Sequence, residues 1–335
     1  MGERRNVLVI GAGAVGGILA AILKKNGYNV SLVTKYQDVA DIANSKGLHI
    51  FGQCGSHHVK VPSVARVIDI KLHPDFVFIA TKALDMPQAA RDVLPFLHEN
   101  CKVISMQNGI VEEELASIVG KERTVGCTVG WGATMHGKAE LEMTSGGEFV
   151  IGSLNKPGDE SLQEIKTMLD HIVPVTISDH IMSHLYSKLI INSCISTLGA
   201  VCGLTLGKML SQRKIRCIFL KIIKEAIDVA KAMKLIVNPY AGKLNFYALL
   251  KKGKLRQHLF LMAFGFKYRK LTSSSLQSLK RGGRTEVQYF NGYIEEKGKE
   301  YEVPTPVNSL LTRMVKEIEE KKREIRVENF DDAGF

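Results

Sequence analysis

Short β-branched and aromatic runs punctuate the first half of the chain: NVLVI at 6–10, NVSLV at 29–33, FVFIA at 76–80 and KVISM at 102–106. Each is followed by a turn signal and then by apolar residues at helical spacing, the alternation that a parallel, doubly wound sheet requires. GWGATMHGKAELEM and GGEFVIG alternate with glycines and predict antiparallel edge strands completing that sheet. Beyond about residue 180 the strand signals stop, and the periodicity predicts helices over 181–200, 211–234, 285–298 and 306–323. The pattern therefore describes an α/β domain over 1–180 and a mostly α-helical domain over 181–323. The stretch 324–335 has no periodicity and reads as a loose tail.

One helical segment breaks its own pattern. IMSHLYSKLIINSCIS, residues 181–196, is apolar nearly all round, yet His184, Lys188, Asn192 and Ser196 recur every four residues and stack into one narrow polar stripe. Such a stripe is either the solvated face of an amphipathic helix or the wall of a site.

At 335 residues with 45% hydrophobic content, the chain can bury two cores. No apolar run is expected to span a bilayer, and the N-terminus runs from a charged start into a strand without a cleavable signal pattern, which predicts a cytoplasmic protein. Cysteines 54, 101, 127, 194, 202 and 217 form no CxxC pair and read as reduced core residues. The His57–His58 pair has no companions at metal-ligand spacing, so no metal is expected. The formal charge of +11 is concentrated: Val229 to Thr285 contains thirteen Lys and Arg and no acid. That block suggests an anionic ligand or surface nearby, although no nucleic-acid docking motif accompanies it, and neither a nucleic acid nor a membrane is the expected partner.

VLVIGAGAVGG sets Gly11, Gly13 and Gly16 at GxGxxG spacing between the first strand and a helix. In that setting the first glycine permits a tight turn, the second lets backbone approach a pyrophosphate, and the third packs helix on strand, so the N-terminal domain is Rossmann-type. The end of the second strand discriminates between cofactors. Thr34 and Lys35 stand where an NAD site carries an acid, which favours NADPH, while Asp38 in the next helix keeps NADH open.

GAGAVGG at the front, MQNG at 106–109, YSKLIINS at 186–193, SSSLQSLKRGGRTE at 273–286 and VPTPVN at 303–308 together resemble the ketopantoate reductase family over nearly the whole chain. The resemblance implies a Rossmann domain, a helical domain, a cleft between them, and NADPH-dependent reduction of 2-dehydropantoate to pantoate in pantothenate and coenzyme A biosynthesis. It also implies that Lys188 donates the proton as hydride reaches the substrate carbon, with Glu286 near cofactor and substrate. Asn192, Ser196, Ser274, Ser275 and Gln277 are then the substrate contacts beside Lys188. The implied cofactor contacts are Gly11, Ala12, Gly13, Ala14, Val15, Gly16, Thr34, Lys35, Lys82, Asn108, Gly132 and Glu286. The implied partner is a small anionic 2-oxo acid, and a homodimer is left open.

The chain departs from the family pattern at Ser196, where the family has a second asparagine, and at Tyr186, Leu206 and Ser278. These read as substrate-side changes, and the basic 240–272 stretch reads as a segment shaping substrate access rather than building the core. A reductase of another 2-oxo acid, or a non-enzymatic NADPH-binding sensor that uses the basic block, are the alternatives.

Overall fold

The valine- and isoleucine-rich runs do become strands. In the computed structural model, which describes residues 5–155 and 157–332, they are β1 Asn6–Ile10, β2 Asn29–Val33, β3 Leu48–Gly52, β4 His57–Val59, β5 Ser63–Val64 and β6 Phe76–Ile79, followed by β7 Lys102–Ser105, β8 Thr124–Val129, β9 Gly132–Gly137, β10 Glu140–Ser145, β11 Phe149–Ser153 and β12 Val175–Ile177. The helices of this half are α1 Ala14–Lys25, α2 Gln37–Ser45, α3 Met86–Val93, α4 Glu112–Val119 and α5 Ser161–Leu169. The main sheet runs β12-β11-β8-β7-β6-β1-β2-β5. It is parallel except where β11 meets β8. Both β6 and β8 are buried along their whole length, as strands covered on both faces must be.

Strand order reverses at β1: β2 lies on one side of it and β6 on the other. Such a switch point opens a crevice beyond the carboxyl ends of the strands, where ligands of doubly wound sheets bind.

GGEFVIG supplies β11, which pairs antiparallel with β8 as expected but is flanked by β12 rather than lying at the edge. GWGATMHGKAELEM does not join the main sheet. It forms the β9–β10 hairpin of a second sheet, ordered β4-β3-β10-β9. The reason is packing: Leu141 and Met143 of β10 are buried, and Leu141 sits against α1 so closely that a Cβ on Gly17 would lie 2.3 Å from its Cδ1. The second sheet covers α1.

The chain divides into two compact units, the first ending at Met182 and the second beginning at Ser183. The second contains most of α6 Ile181–Cys202, then α7 Leu206–Ser211, α8 Arg213–Ala232, α9 Phe246–Lys251, α10 Lys254–Lys267, α11 Ser274–Lys280, α12 Asn291–Glu300, α13 Pro306–Glu319 and α14 Asn329–Asp332. By length and composition α6 does reach the requirement for crossing a membrane, contrary to the expectation, but 89% of its apolar window is buried inside the protein, so it is a core helix. The helix expected over 285–298 is interrupted. A 3-10 turn spans Val287–Tyr289, and α12 starts only at Asn291 because the buried Phe290 turns the backbone (φ −111°, ψ −96°).

The end of the described chain is not loose. Phe330 is buried, Asn329 donates from Nδ2 to the carbonyls of Val201 (3.1 Å) and Glu324 (2.8 Å), and Arg326 N–H reaches Val201 O. The basic stretch contributes to the core through Phe246, Leu249 and Leu261, so it does not only shape access. Tyr186 and Leu206 are likewise core residues. The Tyr186 hydroxyl donates to the Ala226 carbonyl at 2.7 Å, and Leu206 is fully buried.

A buried polar chain ties the helices of this unit together. Glu225 on α8 accepts from the backbone N–H groups of Val307 (2.9 Å) and Asn308 (3.0 Å), capping α13, and from Asn308 Nδ2 (2.7 Å). Asn308 Oδ1 accepts from Asn291 Nδ2 (2.9 Å), which also reaches the Ser193 carbonyl of α6 at 3.3 Å, and Thr197 of α6 donates to Asn291 Oδ1. Both asparagines are fully buried. Asn308→Ala leaves buried partners unpaired and is expected to cost roughly 1–3 kcal/mol. Urea unfolding followed by helical circular dichroism checks this; unchanged stability would show the chain to be dispensable.

Candidate functional site

The first unit builds a cradle from its glycines. Gly11 adopts φ +110°, and a Cβ there would lie 2.8 Å from Ala80 backbone atoms. Gly16 is packed harder still, since a Cβ would meet the Gly11 carbonyl oxygen at 2.0 Å and Ala80 Cβ at 2.8 Å. Between them Gly13 has nothing within 4 Å of a built Cβ. Two glycines close the turn and the helix–strand contact, while the middle one keeps a face of backbone open. Residues 11–15, including Ala12, Ala14 and Val15, are half-buried along this loop.

Gly13 is the N-cap of α1, and no acid stands in the first turn of that helix. The first N–H groups of a helix lack intrahelical acceptors, so they and the helix dipole favour an anion at this position. An open backbone face over a helix start fits a pyrophosphate.

The other expected cofactor contacts lie beyond carboxyl ends of neighbouring strands. Asn108 follows β7 and is half-buried. Its loop is fastened by Gln107, whose Nε2 donates to the Ile79 and Thr81 carbonyls at 2.8 and 3.3 Å, and by buried Glu112, which accepts from Ser105 Oγ (2.5 Å) and Val111 N–H (2.9 Å). Lys82 is exposed after β6. Gly132 follows β8, but its N–H is committed to Ser145 Oγ at 2.9 Å, so it serves the β9–β10 ladder.

At the end of β2, Lys35 is exposed and, among the described residues, pairs loosely at 3.9 Å with exposed Asp85. Pairs of that kind are weak and yield readily to a better anion. Thr34 behaves differently from the expectation: it is buried, and its hydroxyl donates to the Tyr36 carbonyl at 2.7 Å, leaving no proton for a ligand phosphate. Asp38 lies in the first turn of α2, bonded to Lys138, whose ammonium holds the Asp38 carboxyl below its ordinary value. The acid that kept NADH open is thus occupied.

Two residues beside these strand ends were not singled out by the sequence. Thr81, directly after β6, and Trp131, just after β8, carry buried polar atoms (Oγ1 and Nε1) with no partner among the described residues. Their place immediately after a strand of a doubly wound sheet was the available signal.

In the helical unit, α6 has no exposed side chain at all. His184, Lys188 and Asn192 are among its few half-buried positions, and Ser196 is buried. A solvated face would expose its lysine, so the stripe is not one. His184 is satisfied by Asn238 at 2.8 Å, and Ser196 Oγ lies 3.4 Å from Ser274 Oγ. Midway along, Asn192 Nδ2 is buried with no partner among the described residues, one turn from Lys188. An orphaned donor beside a half-buried cation marks where a ligand acceptor belongs.

The serine loop reaches the stripe through a close approach. A Cβ at Gly199 would lie 2.5 Å from Ser273 Oγ, and Ser273 caps α11 by accepting from Leu276 N–H at 3.2 Å. Ser274 is exposed, Ser275 is buried, and exposed Gln277 folds back to the Thr272 carbonyl at 3.2 Å. The structure therefore joins Ser274 to the stripe and gives Gln277 a local role. Glu286 is half-buried on the 3-10 turn rather than in an α-helical first turn, which removes a helix-dipole explanation for it. It is held from behind by Thr285, whose N–H and hydroxyl donate to Glu319 Oε1 at 2.7 and 2.6 Å.

All six cysteines are free. Burial pushes the Cys101 thiol up to about 12 and Cys202 up to about 11, so neither is a nucleophile near neutral pH. His57 accepts from Lys25 Nζ at 2.9 Å and His58 stacks on His49. Among the described residues no group of three metal-ligating side chains gathers.

A glycine-cradled switch point on a doubly wound sheet, joined to a helical unit bearing a lysine–asparagine stripe, defines a nucleotide-dependent oxidoreductase architecture. Residues 7–156 match the family described as Ketopantoate reductase PanE/ApbA, and residues 180–319 match Ketopantoate reductase PanE/ApbA C terminal. The chain belongs to the ketopantoate reductase family. It is 26% identical over 318 residues to the 2-dehydropantoate 2-reductase of Aquifex aeolicus (strain VF5), covering 92% of this chain and 95% of that one. Among solved structures, a PanE/ApbA family ketopantoate reductase from Ralstonia eutropha JMP134 superposes with a TM-score of 0.80 at 26% identity, over 95% of this chain and all of that one. D-mandelate dehydrogenase, solved with NADH and anilino(oxo)acetate, shares the fold with a TM-score of 0.81 at 20% identity, over 94% of this chain and 98% of that one.

Gly13→Ala separates binding from folding. Its methyl enters open space, so stability should hold, while dinucleotide affinity should fall at least about tenfold as the anion loses its approach. Gly16→Ala should instead cost roughly 1–3 kcal/mol of stability through overpacking. Nucleotide titration by fluorescence beside urea unfolding reads both; tight binding by the Gly13 variant would remove the cradle from the site.

Proposed function

We propose that the protein reduces a 2-oxo acid to the 2-hydroxy acid with NADPH, and that 2-dehydropantoate is its substrate. The observation that carries this reading is the half-buried Lys188 one turn from Asn192, whose Nδ2 is buried with no partner among the described residues, on a largely apolar helix. When bound, the dinucleotide supplies the hydride. The chain's own part concerns the oxygen. As the ketone carbon is reduced, negative charge grows on oxygen, and the Lys188 ammonium stabilises it by hydrogen bonding and then transfers its proton, leaving an amine that solvent reprotonates. Asn192 Nδ2 donates to the bound acid and fixes its orientation. The Ser196–Ser274 pair offers hydroxyl donors for a carboxylate. Glu286 accepts from ligand N–H or O–H groups.

NADPH is preferred over NADH in this reading because Lys35 is exposed and loosely paired, whereas Asp38 is bound to Lys138. Lys35 acts here without Thr34, whose hydroxyl is spent on backbone. We also assign the protein to a reducing, cytoplasmic compartment, a choice supported by its six free cysteines.

Lys188→Ala should bind NADPH with unchanged affinity, unfold at the same urea concentration, and lose kcat by about 10²–10⁴-fold, the range for removal of a positioned proton donor. Lys188→Arg should fail as well, since guanidinium keeps its proton. Near-normal turnover of Lys188→Ala across a panel of 2-oxo acids would sink the assignment. Lys35→Asp is expected to move the kcat/KM ratio toward NADH by placing like charge beside a 2′-phosphate. A wild-type protein that already prefers NADH would contradict the reading of β2.

A further inference from the structure

Helix α10 presents apolar side chains to solvent in a regular line. Leu255 is 74% exposed, Leu259 54%, Met262 46% and Phe266 71%. Their spacing of four, three and four puts them on one helix face. A different side of the helix anchors it: Leu261 is buried, and a Cβ on Gly265 would lie 2.7 Å from Leu210 Cβ of α7. The exposed line is therefore a ridge on a firmly seated helix of 14 residues, about 21 Å long at the α-helical rise.

Cations bracket the ridge at both ends. Lys251, Lys252, Lys254 and Arg256 stand at its start and Lys267, Arg269 and Lys270 at its end, all exposed, with no acid anywhere between Val229 and Thr285. The Arg269 guanidinium lies 5.3 Å above the Phe266 ring, so charge and apolar surface share one patch.

We propose that this face of α10 docks on an anionic phospholipid bilayer, with Leu255, Leu259, Met262 and Phe266 entering the headgroup–acyl boundary and the flanking lysines and arginines reaching phosphates. A helix lying in the bilayer plane needs this arrangement, an apolar line with long cationic side chains beside it that can snorkel. Three other occupants fit less well. A second copy of the chain would bring the same cations against each other with no acid to pair them. Nucleic acid offers phosphates but nothing for the leucines and Phe266. An acidic protein would need a groove with carboxylates matched to both ends of the ridge, whereas a bilayer of anionic lipid meets that demand without a matched pattern. The basic block pointed to an anionic surface, but the apolar ridge beside it was not legible, because a run such as HLFLMAFGF reads as core until its exposure is known.

The test uses the full-length protein in vesicle co-sedimentation. It should bind vesicles of phosphatidylcholine containing about a third phosphatidylserine, bind pure phosphatidylcholine far less, and detach as salt is raised and charges are screened. The double variant Leu259→Ser/Phe266→Ser should weaken binding at least about tenfold, the loss expected when two large apolar side chains no longer leave water. Its circular dichroism should be unchanged, because neither side chain is in the core. A second variant, Lys251→Glu/Lys252→Glu/Lys254→Glu, should abolish binding by charge. Absence of binding to either vesicle overturns the proposal, as does binding that the serine variant leaves intact, which is adsorption by charge alone. Light scattering that finds a dimer dissolved by Leu259→Ser/Phe266→Ser overturns it too, in favour of a second copy on the ridge.

Discussion

The helical unit depends on a short chain of buried hydrogen bonds from Glu225 through Asn308 and Asn291 to Ser193 and Thr197. Apolar packing alone leaves helices free to slide, since one leucine contact resembles the next. Buried amides do not tolerate sliding, because every displaced bond exposes an unpaired group to a low dielectric. The chain meets α6 at Ser193 and Thr197, immediately after Asn192 and little more than one turn beyond Lys188, so it sets the rotation of the helix carrying the polar stripe. The Thr285–Glu319 contact does the same for Glu286, and the Ser273 cap does it for Ser274. Each candidate site residue in this unit has buried polar support close by.

The N-terminal unit reaches its precision by another route, the exclusion of side chains. Gly11 and Gly16 let β1, α1 and the end of β6 approach more closely than any Cβ would permit, and Gly17 does so for α1 and the second sheet. The resulting loop carries an open backbone face at Gly13. Around it, the strand ends bring Thr34, Thr81, Asn108 and Trp131 to the same edge of the sheet from positions far apart in the chain.

Features with a local period were legible beforehand. The strands from NVLVI to KVISM, the glycine fingerprint and the stripe in YSKLIINS each announce themselves within a few residues. The polar chain could not be read, because Asn308 finds its partners 17 and 83 residues away, and no local pattern encodes such a pairing. The β9–β10 hairpin looked like part of the main sheet because alternation predicts a strand but not its neighbour. Thr34 shows a related limit of local pattern: a hydroxyl at the right position says nothing about which carbonyl claims it. Tyr186 and Leu206 looked like altered ligand contacts, whereas both fill the core.

Gly199 lets the Ser273–Ser274 turn reach α6 without an intervening side chain, and Ser273 Oγ fastens it there by donating to the Ser196 carbonyl at 3.3 Å. A side chain at position 199 would lift that turn and part Ser274 from Ser196, so the smallest residue on the helix fixes where two hydroxyls meet.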